Sequence, residues 1–177
     1  MKYLVMTEGS CEKAFLDVLV KKEMFSIHID DLFYQEIFHA RQFQQRLVDM
    51  INQLDINEKI TVIRVGDKLS DELDIDEEIA DRIFKVEKVC IKPEFEILHI
   101  IYRNEYNNYL KSKSKLKPCE FLCSIDSGYV KTYNYNYDYF DSLTRDEIEQ
   151  MINNYVQLRS GTHNKREKTI ADYLRKE

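Results

Sequence analysis

The sequence predicts an α/β protein: a mostly parallel four-stranded sheet flanked by helices, with a helical C-terminal portion packed on it. Three observations carry this. Four short apolar runs rich in β-branched and aromatic residues alternate with stretches of helical period. The runs stop at Glu8-Gly9-Ser10, at Gly66-Asp67 and at Lys92-Pro93. The 177 residues, 44% of them hydrophobic with only four Gly and two Pro, exclude collagen-like and low-complexity classes.

The first strand is expected at residues 2–7 (KYLVMT). Ser10 then caps a helix over 11–24, with Ala14, Phe15, Val18 and Leu19 at helical spacing. A second strand is expected at 32–38. A second helix follows at 41–54, with Phe43, Leu47, Met50, Ile51 and Leu54 on one face. The run KITVIRV at 59–65 is the strongest strand signal. A short helix at 76–83 leads to a fourth strand at 85–91. Beyond Pro93 the reading is one helix over 94–110, a basic connection over 111–118, a tyrosine-dense loop over 129–140, and a helix over 145–158 capped by Thr144. Residues 1–110 thus form the α/β core, and 111–177 supply the basic linker, the tyrosine-rich loop and the last helices.

Composition narrows the function. A chain of this length buries roughly 70% of its unfolded surface and needs no disulfide or structural metal. With 32 acids against 26 Lys and Arg the net charge is -6, which argues against a wholly basic nucleic-acid coat and leaves room for a local basic face. Cys119 and Cys123 are separated by three residues and lack a second ligand pair, so four reduced thiols in a cytoplasmic protein are expected rather than zinc. No secretory signal is recognised, and no apolar stretch approaches the ~20 residues that cross a bilayer. Phosphate-binding glycine loops of the Walker and dinucleotide types are absent. Cys11 at a helix start is a conceivable nucleophile without an identifiable His partner.

Ligands of open α/β sheets bind beyond the carboxyl ends of the strands. Glu8 follows the first strand and Glu12 lies one helical turn on. Asp67 follows the third strand, with Asp71 four residues later. Mg²⁺ takes one or two carboxylates and completes its octahedron with water, so Glu8 and Asp67 could supply that pair. Gly9 and Gly66 would let the backbone turn sharply beside it. The alternative is that these acids cap helices, and that most of the seven acids between Asp67 and Glu78 form a solvated face.

The strand ending in Thr-Glu-Gly-Ser-x-Glu, followed by a helix and a later strand ending in Asp, resembles the Toprim domain. That domain occurs in topoisomerases, primases and the nucleases of the OLD and RloB-like defence families. The resemblance covers roughly residues 1–110 and implies a Toprim/Rossmann-like sheet and Mg²⁺-dependent (or Mn²⁺-dependent) phosphodiester chemistry. By position Glu8 matches the family's Glu, Glu12 the second acid of nuclease members and Asp67 the first Asp. This implies Glu8 and Asp67 as catalytic residues and Glu8, Glu12 and Asp67 as metal ligands. Asp71, which could swing back toward the site from the first turn of a helix, is taken as a further catalytic residue and ligand. In place of the family's Asp-x-Asp, the chain reads Gly66-Asp67-Lys68-Leu69-Ser70-Asp71. The segment from Lys92 to Leu98 is similar to the acidic-aromatic helix start of small Toprim-like proteins.

Lys111, Lys113, Lys115 and Lys117, with Arg103, are where a phosphate backbone of RNA or DNA would land, and Lys68 would offset phosphate charge near the acids. Tyr129, Tyr133, Tyr135, Tyr137 and Tyr139 could stack on unpaired bases. The expectation is therefore a Toprim-type nuclease, a bacterial or mobile-element defence accessory. The competing expectation is a non-catalytic module that binds nucleic acid or a protein partner.

Overall fold

A computed structural model describes residues 1–40, 45–55, 57–67, 73–159 and 168–175. Four strands, β1 (Lys2–Thr7), β2 (Leu32–His39), β3 (Ile60–Gly66) and β4 (Ile83–Cys90), form one all-parallel sheet in the order β2-β1-β3-β4. β1 and β3 lie side by side from Lys2↔Ile60 to Thr7↔Val65, so both run toward the same end.

The connections explain the layers. From β1 the chain moves one way to β2 through α1 (Ser10–Lys21). It then returns past β1 through α2 (Gln45–Asn52) to β3, and continues through α3 (Glu77–Ala80) to β4. Right-handed crossovers in opposite directions place their helices on opposite faces. Leu47, Val48, Ile51 and Ile79 of α2 and α3 accordingly bury one face with Leu4, Met6 and Val62. The other face carries α1 and the helices that follow β4. There Phe15 of α1 packs on Phe95 and Phe140 with ring centroids 5.9 Å and 4.7 Å away.

α1 is capped by Gly9 rather than Ser10, with no side-chain bond from the cap. It stops where Glu23 takes a left-handed φ of 56° and the Met24 N–H turns back to the Leu19 carbonyl at 2.8 Å.

After β4 the chain departs from expectation in three places. The helix expected over 94–110 is two: α4 (Ile97–Tyr102) and α5 (Tyr106–Ser112). Asn104 breaks it with φ 60°, a left-handed conformation that Asn tolerates well. The Arg103 and Glu105 N–H groups fold back onto the His99 and Ile100 carbonyls. The basic connection ends in α6 (Pro118–Ile125). Pro118 occupies its first turn, and Glu120 accepts the Lys117 N–H at 2.8 Å.

The tyrosine-dense stretch is not a loop but α7 (Tyr133–Asp141), capped by Thr132. Its Tyr/Asn alternation looks like period two. Residues four apart nevertheless stack as on a helix: Tyr133 with Tyr137 at 5.7 Å, and Tyr135 with Tyr139 at 6.3 Å. α8 (Arg145–Arg159) starts at Thr144, which exchanges bonds with Glu147. Tyr155, fully buried on α8, accepts the Lys92 N–H at 2.8 Å and so ties this helix to the end of the sheet.

Residues 168–175 strap the edge. Cys90 donates to the Lys168 carbonyl at 2.9 Å, and Phe25 stacks on Tyr173. Glu87 receives Lys168, Lys85 and Tyr173; although burial alone would raise its carboxyl, these three partners hold it down at about 2.

Among the described residues no helix is long and apolar enough to cross a membrane.

Candidate functional site

The strand order reverses direction between β1 and β3, and the crevice of a doubly wound sheet opens at such a point. Glu8 and Asp67 immediately follow these two strands, so they share one end of the sheet as expected. The Glu8 N–H donates to the Val65 carbonyl at 3.0 Å, which pins the two strand ends together. Lys68 and Asp71 lie outside the described residues.

The glycines have a different role from the one expected. Neither Gly9 nor Gly66 has a positive φ, so neither is needed for a sharp turn. Each is a close-approach position. A Cβ on Gly66 would strike the Glu8 carboxyl group and lie 2.8 Å from Glu8 Cγ, and one on Gly9 would strike Glu12 Oε2. Glu8 thus lies across the end of β3 beside Asp67, in a cradle that a methyl group would fill.

Gly66→Ala is expected to push Glu8 out of this cradle, costing ~1–3 kcal/mol, and to cost little once Glu8 is Ala. Urea titrations of the two single variants and the double variant check this. Strictly additive losses would show that the two residues do not meet.

The predicted carboxylates fall into two groups. Glu8 turns to Arg64 of β3, whose Nη2 lies 2.7 Å from its Oε1. By register Arg64 sits beside Met6, on the face covered by α2 and α3. Glu12 belongs to the other group, under α1 and α4. Burial pushes its carboxyl up to about 7, and the negative charges of Glu96 and Asp67 add to this while Lys131 opposes it.

Glu96 is the residue that the sequence reading missed. It lies at the start of α4 and is fully buried. Its Oε1 accepts the Tyr129 hydroxyl at 3.0 Å and faces Lys131 Nζ at 2.7 Å. Its Oε2 is buried with no hydrogen-bond partner. The signal was present: Lys92-Pro93-Glu94-Phe95-Glu96 places an acid between apolar residues just past a strand, where a solvated acid would be out of place.

Around Glu96 the site is closed and polar. His99 Nε2 meets Asn136 Oδ1 at 2.8 Å, and Asn136 donates to Cys11 Sγ at 3.2 Å and to the Thr132 carbonyl. Burial lowers His99 to about 4, so its ring is neutral. Burial together with Glu12 and Glu96 pushes Cys11 up to about 11, which excludes it as a nucleophile at neutral pH. Burial raises Cys119 similarly.

The tyrosines expected to meet bases are engaged within the molecule. Tyr129 is buried, Tyr133 donates to Asp17 at 2.8 Å, and Tyr135 and Tyr139 pack beside His99. Arg103 leaves the basic face to pair with Asp126 at 2.6 Å. Lys111, Lys113, Lys115 and Lys117 are all exposed. They lead into α6, whose Cys119 N–H meets Glu94 Oε2 at 3.5 Å just beyond β4, so this basic run approaches the same end of the sheet as the acids.

Among the described residues no three His, Cys, Asp or Glu converge on a common metal position. The donor chemistry nevertheless suits a hard divalent cation, which needs only one or two carboxylates directly. Glu8, Glu12, Asp67 and Glu96 bring four carboxyl groups to one end of the sheet, where Arg64 and Lys131 pair with two of them. No family model, curated protein or solved structure matches the chain.

Proposed function

We propose that this chain is a Toprim-like protein that hydrolyses phosphodiester bonds of RNA or DNA with Mg²⁺ or Mn²⁺, as a cytoplasmic defence accessory of bacterial or mobile-element type. The observation that supports this reading best is the placement of Glu8 and Asp67 at the adjoining ends of β1 and β3, at the switch point of a parallel sheet, with the Glu8 N–H bonded to the Val65 carbonyl. Glu8 and Asp67, with Glu12 or Asp71 assisting, would hold the metal. When bound, that ion would supply Lewis-acid polarisation of the scissile phosphate and a more acidic water.

The protein's own residues do the rest. Asp67 and the half-buried Glu12 would orient the reacting groups. Glu12, with its carboxyl near neutrality, can accept or return a proton at working pH. The exposed lysines of the 111–117 run, with Lys68, which follows Asp67 in sequence, would receive the phosphate backbone.

A second reading has its own support. Glu8 is already neutralised by Arg64, which suits a non-catalytic module binding nucleic acid or a protein partner.

Labelled single- and double-stranded RNA and DNA, incubated with Mg²⁺ or Mn²⁺ and with chelator, decide between the readings. Cleavage of at least one of the four, lost in chelator and in Asp67→Asn while binding persists, is the expected result. Binding with no metal-dependent cleavage would leave the module; cleavage undiminished in Asp67→Asn would place the chemistry elsewhere.

A further inference from the structure

We infer that the cleft between α8 and the C-terminal strap is a binding site for a small zwitterion with an apolar body, of the class of the free aliphatic α-amino acids. None of its lining residues belongs to the acids at the sheet end, and the inference does not depend on the metal-dependent reading.

A cavity of about 190 Å³ is lined by Met24, Leu174, Arg145, Arg175, Asp146 and Glu149. α8 supplies Arg145, Asp146 and Glu149, and the last two lie three residues apart on one helix face. The opposite wall is Met24, just past α1, with Leu174 and Arg175 of the strap. The Arg175 N–H donates to the Met24 carbonyl at 2.8 Å, and Leu174 pairs with Phe25 in an antiparallel bridge. That wall is therefore held in place. Met24 is buried and Leu174 half-buried, so they give it an apolar surface.

The charges point to a ligand. Arg145, Asp146, Glu149 and Arg175 are all exposed, and among the described residues none of the four enters an ion pair or a side-chain hydrogen bond. Elsewhere on this surface opposite charges do find each other, as Lys21 finds Asp141 at 2.8 Å and Arg103 finds Asp126 at 2.6 Å. Two guanidiniums and two carboxylates around one cavity sum to no net charge. A plain anion would face the carboxylates, and a plain cation would face the guanidiniums. A carboxylate for the arginines, an ammonium for the acids and an aliphatic body against Met24 and Leu174 meet all three demands. The volume lies below the roughly 300 Å³ at which pockets for drug-sized ligands begin, so the ligand is small.

Calorimetric titration of the full chain, in chelator, with L-leucine, isocaproate, isoamylamine and glycine tests this. L-Leucine should bind. The other three lack the ammonium, the carboxylate and the aliphatic body in turn, and each should bind at least about tenfold more weakly. Arg175→Gln and Glu149→Gln should each weaken L-leucine by a similar factor. Both side chains are exposed, so these variants should keep the parent's urea midpoint. No heat of binding from L-leucine overturns the proposal. So does an analogue that matches L-leucine: isocaproate would make this a plain carboxylate site, isoamylamine a plain ammonium site, and glycine a site without an apolar wall. L-Leucine affinity unchanged in both variants would place its binding elsewhere and also overturns it.

Discussion

Glu12→Gln should gain stability by up to about 3 kcal/mol as pH rises from about 4.5 to 6.5, in chelator, over a range where Glu12 and His99 together leave the parent nearly flat. The reason is a pair of opposed titrations. Burial, with Glu96 and Asp67 nearby, pushes the Glu12 carboxyl from 4.5 to about 7. A raised acid favours the fold fully below its unfolded pKa, and that advantage is lost as pH rises through the folded value. His99 does the reverse. Burial drives it from 6.5 to about 4, against the hydrogen bond that Asn136 Oδ1 accepts from the ring. The unfolded chain takes up that proton below 6.5 and the native ring does not, so stability is lost as pH falls toward 4.

Between 4.5 and 6.5 the two slopes have opposite signs and the same size, about 1.4 kcal/mol per pH unit each. Removing the Glu12 charge leaves His99 alone, and stability climbs with pH. His99→Gln leaves Glu12 alone, and stability falls with pH. Urea midpoints at half-unit steps, with the denaturant slope unchanged, read both. A Glu12→Gln profile parallel to the parent would show that Glu12 does not titrate in this window. Below 4.5 lowered carboxyls join in: Glu87, held at about 2, gives up its contacts with Lys168, Lys85 and Tyr173 as it protonates.

The strands were legible because each is a short apolar run bounded by a clear stop, and β1 coincides with its expected span. β4 runs from Ile83 to Cys90 rather than over 85–91, because Ile83 pairs with Ile60 before Phe84 interrupts the register. The C-terminal helices were harder. A single Asn104 in a left-handed conformation divides α4 from α5, and only the local fold shows that it does so. The Tyr-Asn alternation of α7 suits a strand and a helix equally until α1 supplies Asp17, Lys13 and Lys21 as partners for its ring edges and faces.

For the site, position was readable and pairing was not. A strand end predicts where Glu8 and Asp67 lie, but the side chain of Glu8 goes to Arg64, a residue within β3 that spacing alone cannot assign to either face's chemistry. Glu96 was hidden for a related reason. Its partners, Tyr129 and Lys131, come from more than thirty residues later, beyond three further helices.

Replacing Lys111, Lys113, Lys115 and Lys117 together with Ser should leave stability within about 0.5 kcal/mol while sharply weakening nucleic-acid binding. All four side chains are exposed, and the apolar residues beside them, Tyr109 and Phe121, are untouched. If each lysine neutralises one phosphate, the four contribute about 3.6 to the slope of log affinity against log salt on duplex DNA. Between 50 and 200 mM salt the parent should then lose roughly 150-fold more affinity than the variant. An unchanged slope would move the phosphate contacts to another face. The comparison with Asp67→Asn separates attachment from chemistry. The lysine variant should cleave slowly because it binds weakly, and should recover at high enzyme concentration or low salt. Asp67→Asn should bind with the parent's salt slope and not cleave at any concentration. A lysine variant that binds as the parent does but no longer cleaves would instead make this run part of the reacting site, closer to Glu96 than its exposure indicates.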